Sequence, residues 1–203
     1  MDLKTLIKLT ESFGTEMKYD GLSYTFNKRG QVVVTEADEM LNATILEGAE
    51  IIENMVFCRS SLLKSVEMSN SVTAIGMYAF SDCYNLMKVG MSSNITKIAM
   101  GAFENCTRLK NIEFPSGLKR IAPESFAGCV NLQTVTFPDA LEEIGSFAFH
   151  NCKSLEFVNL SKVKRLGRSS FKGCDNLKQV ILPKGLSEKV FDSQPKIIYE
   201  GVI

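Results

Sequence analysis

The chain has 203 residues, 45% of them hydrophobic, which is enough to bury a large apolar core in one domain or two small ones. Lysine plus arginine and aspartate plus glutamate each number 23, so no net charge attracts phosphates or an anionic membrane, and nucleic acid is not an expected partner. No apolar run approaches the roughly 18 residues of a membrane span, and the N-terminus lacks the apolar stretch and cleavage site of a signal peptide.

Residues 1–40 are predicted to form an N-terminal cap that contains a short helix and a β-hairpin. The helix is indicated by Asp2 as a candidate N-cap and by a weak apolar stripe at Leu3, Leu6, Ile7 and Phe13. The hairpin is predicted from two strand-like segments, 22–26 and 31–35, which flank the turn sequence of residues 27–30. Such a cap would cover the first coil of a repeat protein.

Residues 41–186 contain about six repeats of 22–25 residues. Cysteine recurs at one position, at Cys58, Cys83, Cys106, Cys129, Cys152 and Cys174. In the last five units a phenylalanine lies three residues before the cysteine and a leucine three residues after it, as in Phe103, Cys106 and Leu109. The first unit fits this pattern once two residues are inserted between Cys58 and Leu63.

Each unit continues with two short apolar patterns, for example Leu109, Ile112 and Phe114 followed by Leu118 and Ile121. The first pattern is L-x-x-L-x-L, the strand signature of leucine-rich repeats. A single coil cannot offset the roughly 1–2 kcal/mol per residue of lost backbone entropy, but coils stacked about 4.8 Å apart bury their apolar residues in shared columns. We therefore predict a right-handed leucine-rich-repeat solenoid with short parallel strands and short helical or 3-10 turns on its convex side.

Residues 187–203 depart from the repeat and are predicted to form a C-terminal cap. The segment 196–201 has the composition of a last strand, but the apolar pattern that would return the chain for another coil is missing.

The residue pattern of the repeat unit resembles that of the BspA-like leucine-rich-repeat family. The resemblance covers roughly residues 41–186 and depends on an Ala-Phe or Ser-Phe pair followed by Cys and Leu, as in Ala102, Phe103, Cys106 and Leu109. It implies a cell-surface or secreted protein that takes part in adhesion, although a cytoplasmic location stays open because no signal peptide is visible.

The cysteines and the only histidine are interpreted as structural residues, so we expect neither a cofactor nor catalysis. The cysteines never occur as C-x-x-C, and equivalent Cβ atoms of stacked coils would lie too far apart for a relaxed disulfide. A column of buried free thiols is the favoured interpretation. His150 occupies a variable position of the repeat, which predicts a surface side chain.

Charged pairs occupy one position of three successive units with alternating sign: Lys119-Arg120, Glu142-Glu143 and Lys164-Arg165. A nucleic-acid groove would need one sign along this column, so the alternation favours a solvated ridge.

The strand face is the predicted partner-binding surface, because the third and fifth residues of L-x-x-L-x-L point away from the core. Most residues there are polar, but Phe157 and Ile181 are apolar. We predict a partner-binding site at Phe157, Ile181, Asn159, Gln179, Thr134 and Thr136. The alternative is that the C-terminal cap folds over Phe157 and Ile181.

These observations favour a non-catalytic module that binds a protein or a glycan and is a monomer. The alternative is a structural spacer or a self-associating scaffold, inside the cell or at its surface.

Overall fold

The structure is a computed structural model that describes residues 3, 5, 17–191 and 195–199. Leu3 and Thr5 are helical, and Leu3 is buried. Asp2, Leu6, Ile7 and Phe13, the remaining residues of the predicted N-terminal helix, lie outside the described residues.

A β-hairpin begins the described chain and joins the repeats. Its strands are β1 (Met17–Tyr19), β2 (Leu22–Phe26) and β3 (Val32–Ala37), and each pairs antiparallel with the next. The Asn27 side chain accepts the backbone N–H groups of Arg29 and Gln31 at 2.9 and 3.1 Å, which fixes the turn between β2 and β3. Because β3 also pairs parallel with the first strand of the repeats on that side, the hairpin covers one edge of the solenoid.

The L-x-x-L-x-L segments, with one further strand before them and one after them, form a row of parallel strands along one side of the solenoid, which we call the long-strand side. Equivalent residues pair in register, so that Asn111 lies beside Thr134 and Phe157 beside Gln179. The strands are β4 (Asn42–Ile45), β6 (Ser65–Met68), β8 (Lys88–Gly90), β10 (Asn111–Glu113), β12 (Thr134–Thr136), β14 (Phe157–Asn159), β16 (Gln179–Leu182) and β17 (Lys196–Tyr199). The repeat therefore places like positions of successive coils side by side.

The second apolar pattern of each unit forms another parallel sheet, which the sequence did not predict. Its strands are β5 (Ile51–Ile52), β7 (Ala74–Ile75), β9 (Lys97–Ile98), β11 (Arg120–Ile121), β13 (Glu143–Ile144) and β15 (Arg165–Leu166). Together with the hairpin they make a nine-stranded sheet, which we call the short-strand side. Two residues are too few to show the alternation that identifies a strand in a sequence.

The third side of each coil consists of consecutive turns rather than helices. Turn bonds such as Cys83 N–H to the Phe80 carbonyl, at 3.3 Å, are followed by bonds to the next coil, such as Phe80 N–H to the Ala102 carbonyl, at 2.8 Å. Among the described repeats no helix forms on this side, and the 3-10 helix Glu188–Val190 lies in the C-terminal segment. The predicted 3-10 character is thus limited to single turns within each coil.

The core contains a stack of phenylalanine rings that runs through the solenoid, as the repeat predicted. Neighbouring rings from Phe57 to Phe171 have centroids 4.9–5.4 Å apart and planes within 10° of parallel. Phe191 extends the stack below Phe171 at 5.5 Å. All the rings from Phe57 to Phe171 are fully buried.

The stack corrects the alignment of the first unit. Phe57 is the ring that stacks on Phe80, so Ser60, not Cys58, occupies the cysteine position, and Leu63 follows with no insertion. The backbone agrees, since Ser60 N–H bonds to the Phe57 carbonyl as Cys83 N–H bonds to the Phe80 carbonyl. Cys58 lies one residue after the ring and is partly exposed.

Candidate interaction surface

The long-strand side exposes two columns of side chains, the third and fifth residues of each strand signature. In β10, β12 and β14 these residues are exposed, while the residue between them is buried. The third-position column contains Ser65, Lys88, Asn111, Thr134, Phe157 and Gln179, and the fifth-position column contains Glu67, Gly90, Glu113, Thr136, Asn159 and Ile181. This face is therefore mainly polar.

Four of the six predicted site residues line one cleft on this face. Thr134, Thr136, Phe157 and Asn159 surround it together with Gln133, Val135, Phe137 and Glu156, and its volume is about 660 Å³. The Phe157 side chain is 42% exposed, so its ring is available to a partner. We call this feature the Phe157 cleft.

Hydrogen bonds fix the polar residues around the cleft. Thr134 donates its hydroxyl to the Asn111 side-chain oxygen at 2.6 Å, and the Asn159 side chain accepts the backbone N–H of Ser161 at 3.0 Å. Glu156 pairs with Lys178 at 2.9 Å on the rim. Thr134 and Asn159 are therefore oriented before a ligand arrives.

The other two predicted residues, Gln179 and Ile181, lie one strand further on and are half-buried. The terminal strand β17 pairs with β16 and places Lys196 beside Gln179 and Ile198 beside Ile181. The cap strand thus extends the sheet past Ile181 instead of folding over Phe157.

The buried thiols offer no nucleophile at neutral pH. Cys83, Cys106, Cys129, Cys152 and Cys174 are fully buried. Burial raises the pKa of the Cys83 and Cys129 thiols to about 12 and raises the pKa of Cys106 and Cys152 well above the usual range.

His150 is half-buried rather than fully on the surface, which corrects the prediction from its variable position. Its ring meets the Phe147 ring edge to face at 5.6 Å, and the Arg168 guanidinium lies over the same phenylalanine at 5.4 Å. In the described part of the chain no group of His, Cys, Asp and Glu is arranged to hold a metal ion. No helix among these residues has the length and apolar character needed to cross a membrane.

The charged ridge on the short-strand side is solvated and internally paired, as its alternating sign predicted. Glu143 lies between Arg120, at 3.1 Å, and Arg165, at 2.7 Å. Lys164 pairs with Glu142 of the neighbouring coil at 2.9 Å. The lysine and arginine side chains of these pairs are 60–66% exposed.

A second cleft, which the sequence analysis did not single out, opens on the short-strand side. It has a volume of about 520 Å³ and is lined by Met77, Thr96, Lys97, Ile98, Ala99, Met100, Arg120 and Ala122. We call it the methionine groove. In the sequence, the groove is indicated only by methionines that lie outside the repeat pattern, at one position of two units. Two methionines do not distinguish a groove from a loosely packed surface.

The sequence model of the BspA type leucine rich repeat region matches residues 35–156 and 98–197, with six copies of the repeat. Together these ranges contain well over half of the chain. The chain belongs to the BspA-type leucine-rich-repeat family. No curated protein shows significant sequence similarity to it.

Solved structures share the fold of this BspA-type chain at low sequence identity. A leucine-rich cell surface protein from Faecalibacterium prausnitzii A2-165 is 23% identical with a TM-score of 0.62, over 89% of this chain and 55% of that protein. The T. pallidum leucine-rich repeat protein is 21% identical with a TM-score of 0.58, over 91% of this chain and 85% of that one. The chain therefore spans little more than half the length of the Faecalibacterium protein.

Proposed function

We propose that this BspA-type chain is a non-catalytic interaction module that binds a protein or a glycan through the Phe157 cleft. The observation that carries the proposal is the 42% exposed Phe157 ring on an otherwise polar strand face. Exposed aromatic rings surrounded by polar groups are frequent anchors of binding surfaces, because the ring buries a large area on contact and few side-chain rotations are lost.

The polar residues of the cleft fit either class of ligand. Thr134, Thr136 and Asn159 offer hydroxyl and amide groups beside the ring, and these can bond to a peptide backbone or to sugar hydroxyls. The aromatic face can pack against an apolar side chain or against the C–H groups of a sugar ring.

Two further points support a role in binding at a cell surface. Membership of the BspA-type leucine-rich-repeat family suggests an interaction or surface module, and members of this family are typically non-catalytic. The similar Faecalibacterium protein is described as a cell surface protein. We propose the same location for this chain, and we expect it to act as a monomer.

The test compares Phe157→Ala with the parent chain on glycan arrays and on arrays of surface and matrix proteins. Loss of a contacting aromatic ring should weaken binding of the identified ligand by at least about tenfold. The matched control is Tyr84→Ala, which removes another exposed aromatic ring, 50% exposed, outside the cleft. Ile181→Thr then tests whether the site extends to β16.

Binding that Phe157→Ala leaves unchanged, while Tyr84→Ala abolishes it, would exclude the Phe157 cleft. Light scattering over a range of concentrations distinguishes the binding module from a self-associating scaffold. A mass that rises with concentration in the absence of any ligand would favour the scaffold.

A further inference from the structure

The methionine groove has an apolar lining that the fold does not need. Met77 is 42% exposed, and Met100 in the next coil is half-buried. Their position in the other described coils is held by Asn54, Pro123, Ser146 and Arg168, so stacking of the coils does not require methionine there. The apolar surface is therefore local to two adjacent coils.

Small side chains keep the groove open. Ala99 and Ala122 follow the short strands β9 and β11, and both contribute to the lining. Beyond the groove, Gly101 leaves room for the Tyr78 ring, since a Cβ atom at Gly101 would lie 2.2 Å from that ring. Unbranched methionine side chains beside small residues make a surface that can adapt to several apolar shapes.

Positive charge borders the groove on the short-strand side. Lys97 lines it and has no ion-pair partner among the described residues. Arg120 also lines the groove, and its partner Glu143 is shared with Arg165, which donates from two nitrogens at 2.7 and 3.1 Å. The lining of the groove therefore includes one ammonium group without an ion pair, on Lys97, and one shared guanidinium, on Arg120.

Carboxylates influence the Tyr78 hydroxyl, whose ring lies against Gly101 beyond the groove. Burial and the carboxylates of Glu124 and Glu104 raise the pKa of the Tyr78 hydroxyl. An acidic ligand is thus favoured near Lys97 and Arg120 and disfavoured near Glu104 and Glu124.

We propose that the methionine groove binds a short acidic and apolar segment of a partner protein. One large apolar side chain of the segment packs against Met77 and Met100, and a neighbouring carboxylate pairs with Lys97 and Arg120. The two requirements follow from the apolar lining and from the charge beside it. This site is separate from the Phe157 cleft, and it holds or fails independently of the function proposed for that cleft.

Side chains, and not strand pairing, must hold the segment. Strands β9 and β11 already pair on both sides, with β7 and β13 completing the row, so neither has a free edge. Binding should therefore depend on the side chains of the segment and only weakly on its conformation.

The experiment measures the fluorescence anisotropy of labelled peptides of about 12 residues in three matched sets. The first set combines leucine or phenylalanine with aspartate or glutamate, the second replaces the acids by lysine, and the third replaces the apolar residues by serine. We expect the first set to bind at least about tenfold more tightly than the other two. Loss of the acidic residues or of the apolar residues should each lower the affinity about tenfold.

Substitutions of groove residues test whether the peptide binds in the methionine groove. Lys97→Glu and the double change Met77→Ser with Met100→Ser should each weaken binding by about tenfold. Lys97→Glu should also improve binding of the lysine-containing set. The matched controls are Lys110→Glu and Met87→Ser, which make the same changes at exposed positions outside the groove. Phe157→Ala should have no effect.

A readout without substitution uses methyl resonances of ¹³C-labelled methionines in the whole chain. Addition of the acidic and apolar peptide should shift the Met77 and Met100 methyl signals and leave the Met87 signal in place.

The proposal is overturned if no acidic and apolar peptide binds, if Lys110→Glu weakens binding as much as Lys97→Glu, or if the lysine set is preferred. It is also overturned if the groove is covered by a second copy of the chain, seen as a dimer that Met77→Ser dissociates.

Discussion

Five buried thiols donate hydrogen bonds that connect successive coils. Cys83 donates to the Phe57 carbonyl at 3.0 Å, and Cys106, Cys129, Cys152 and Cys174 make the same bond to the phenylalanine carbonyl of the preceding coil at 3.2–3.3 Å. The cysteine column is thus a set of small buried side chains that also satisfy a second lone pair of those carbonyls.

The raised pKa of the Cys83, Cys106, Cys129 and Cys152 thiols predicts a loss of stability at alkaline pH. The folded state keeps the Cys129 thiol neutral up to about pH 12, whereas the unfolded thiol ionises near its ordinary pKa of 9.0. The stability that Cys129 contributes is therefore fully present below pH 9 and falls as the pH rises toward 12, by about 2 kcal/mol at about pH 10.5. Chemical denaturation at a series of pH values measures this slope.

The control for alkaline destabilisation is Cys129→Ser, because serine keeps a donor and stands naturally at Ser60 in the first coil. We expect this variant to have a shallower slope than the parent above pH 9. Equal slopes would show that tyrosines and lysines, and not the thiol, account for the effect.

Cys58 is expected to react with thiol reagents much faster than the other five cysteines. It lies outside the thiol column and is partly exposed, while the other five are fully buried. A colorimetric thiol assay on the native protein should show one fast equivalent, and Cys58→Ser should remove it. Fast labelling of several thiols would mean that the coils open readily under native conditions.

At the scale of elements, the ring stack and the strand face should respond very differently to loss of a phenylalanine. Phe126 has stacked neighbours, Phe103 and Phe149, at 5.3 and 5.4 Å, and Phe114 meets it edge-on at 5.4 Å. Phe126→Ala should lower the free energy of unfolding by about 3–5 kcal/mol. Phe157→Ala should change it by less than about 1 kcal/mol, because that ring is exposed.

Urea denaturation of the two alanine variants measures both effects. A similar cost for both would mean that Phe157 belongs to the core and would count against its role as an anchor.

The ring stack and the long strands could be predicted from the sequence because their side chains play the same structural role in every coil. The rings and the leucines of the long strands recur with one spacing, and the structure places them in columns. The short-strand sheet was not visible, since Arg120 and Ile121 form a strand only because Glu143 and Ile144 lie beside them. The insertion in the first unit was predicted wrongly because Cys58 was aligned with the other cysteines. The ring stack shows that Ser60 occupies that position.

At the scale of the whole molecule, stability comes from contacts between neighbouring coils. Strand pairing joins the coils continuously on the short-strand side and in three groups on the long-strand side. On the turn side each coil donates N–H groups to carbonyls of the next, as Phe103 does to Ser125 at 2.8 Å. Such a solenoid behaves as a row of similar interfaces.

Deletion of residues 111–133, one complete coil, should therefore preserve the fold. Thr134 would take the place of Asn111, so that the phenylalanine, leucine and cysteine columns stay in register. We expect an unchanged shape of the circular dichroism spectrum and a lower melting temperature, because one interface is lost.

The control deletion removes residues 111–121, about half a coil, and shifts every later column out of register. It should abolish cooperative unfolding. If both deletions unfold the protein, the coils are less interchangeable than their repeat suggests.

The sequence by itself determined the solenoid, its period and the buried columns, because a repeat of fixed length forces equivalent residues of each coil into equivalent positions. Only the tertiary structure decided which surface residues share a cleft. Met77 and Arg120 are far apart in the chain and line one groove only because the coils stack. Phe157 stays exposed because β17 pairs with β16 and does not cover it. Surface residues are not constrained by the period, so their neighbours follow from the packing of the coils.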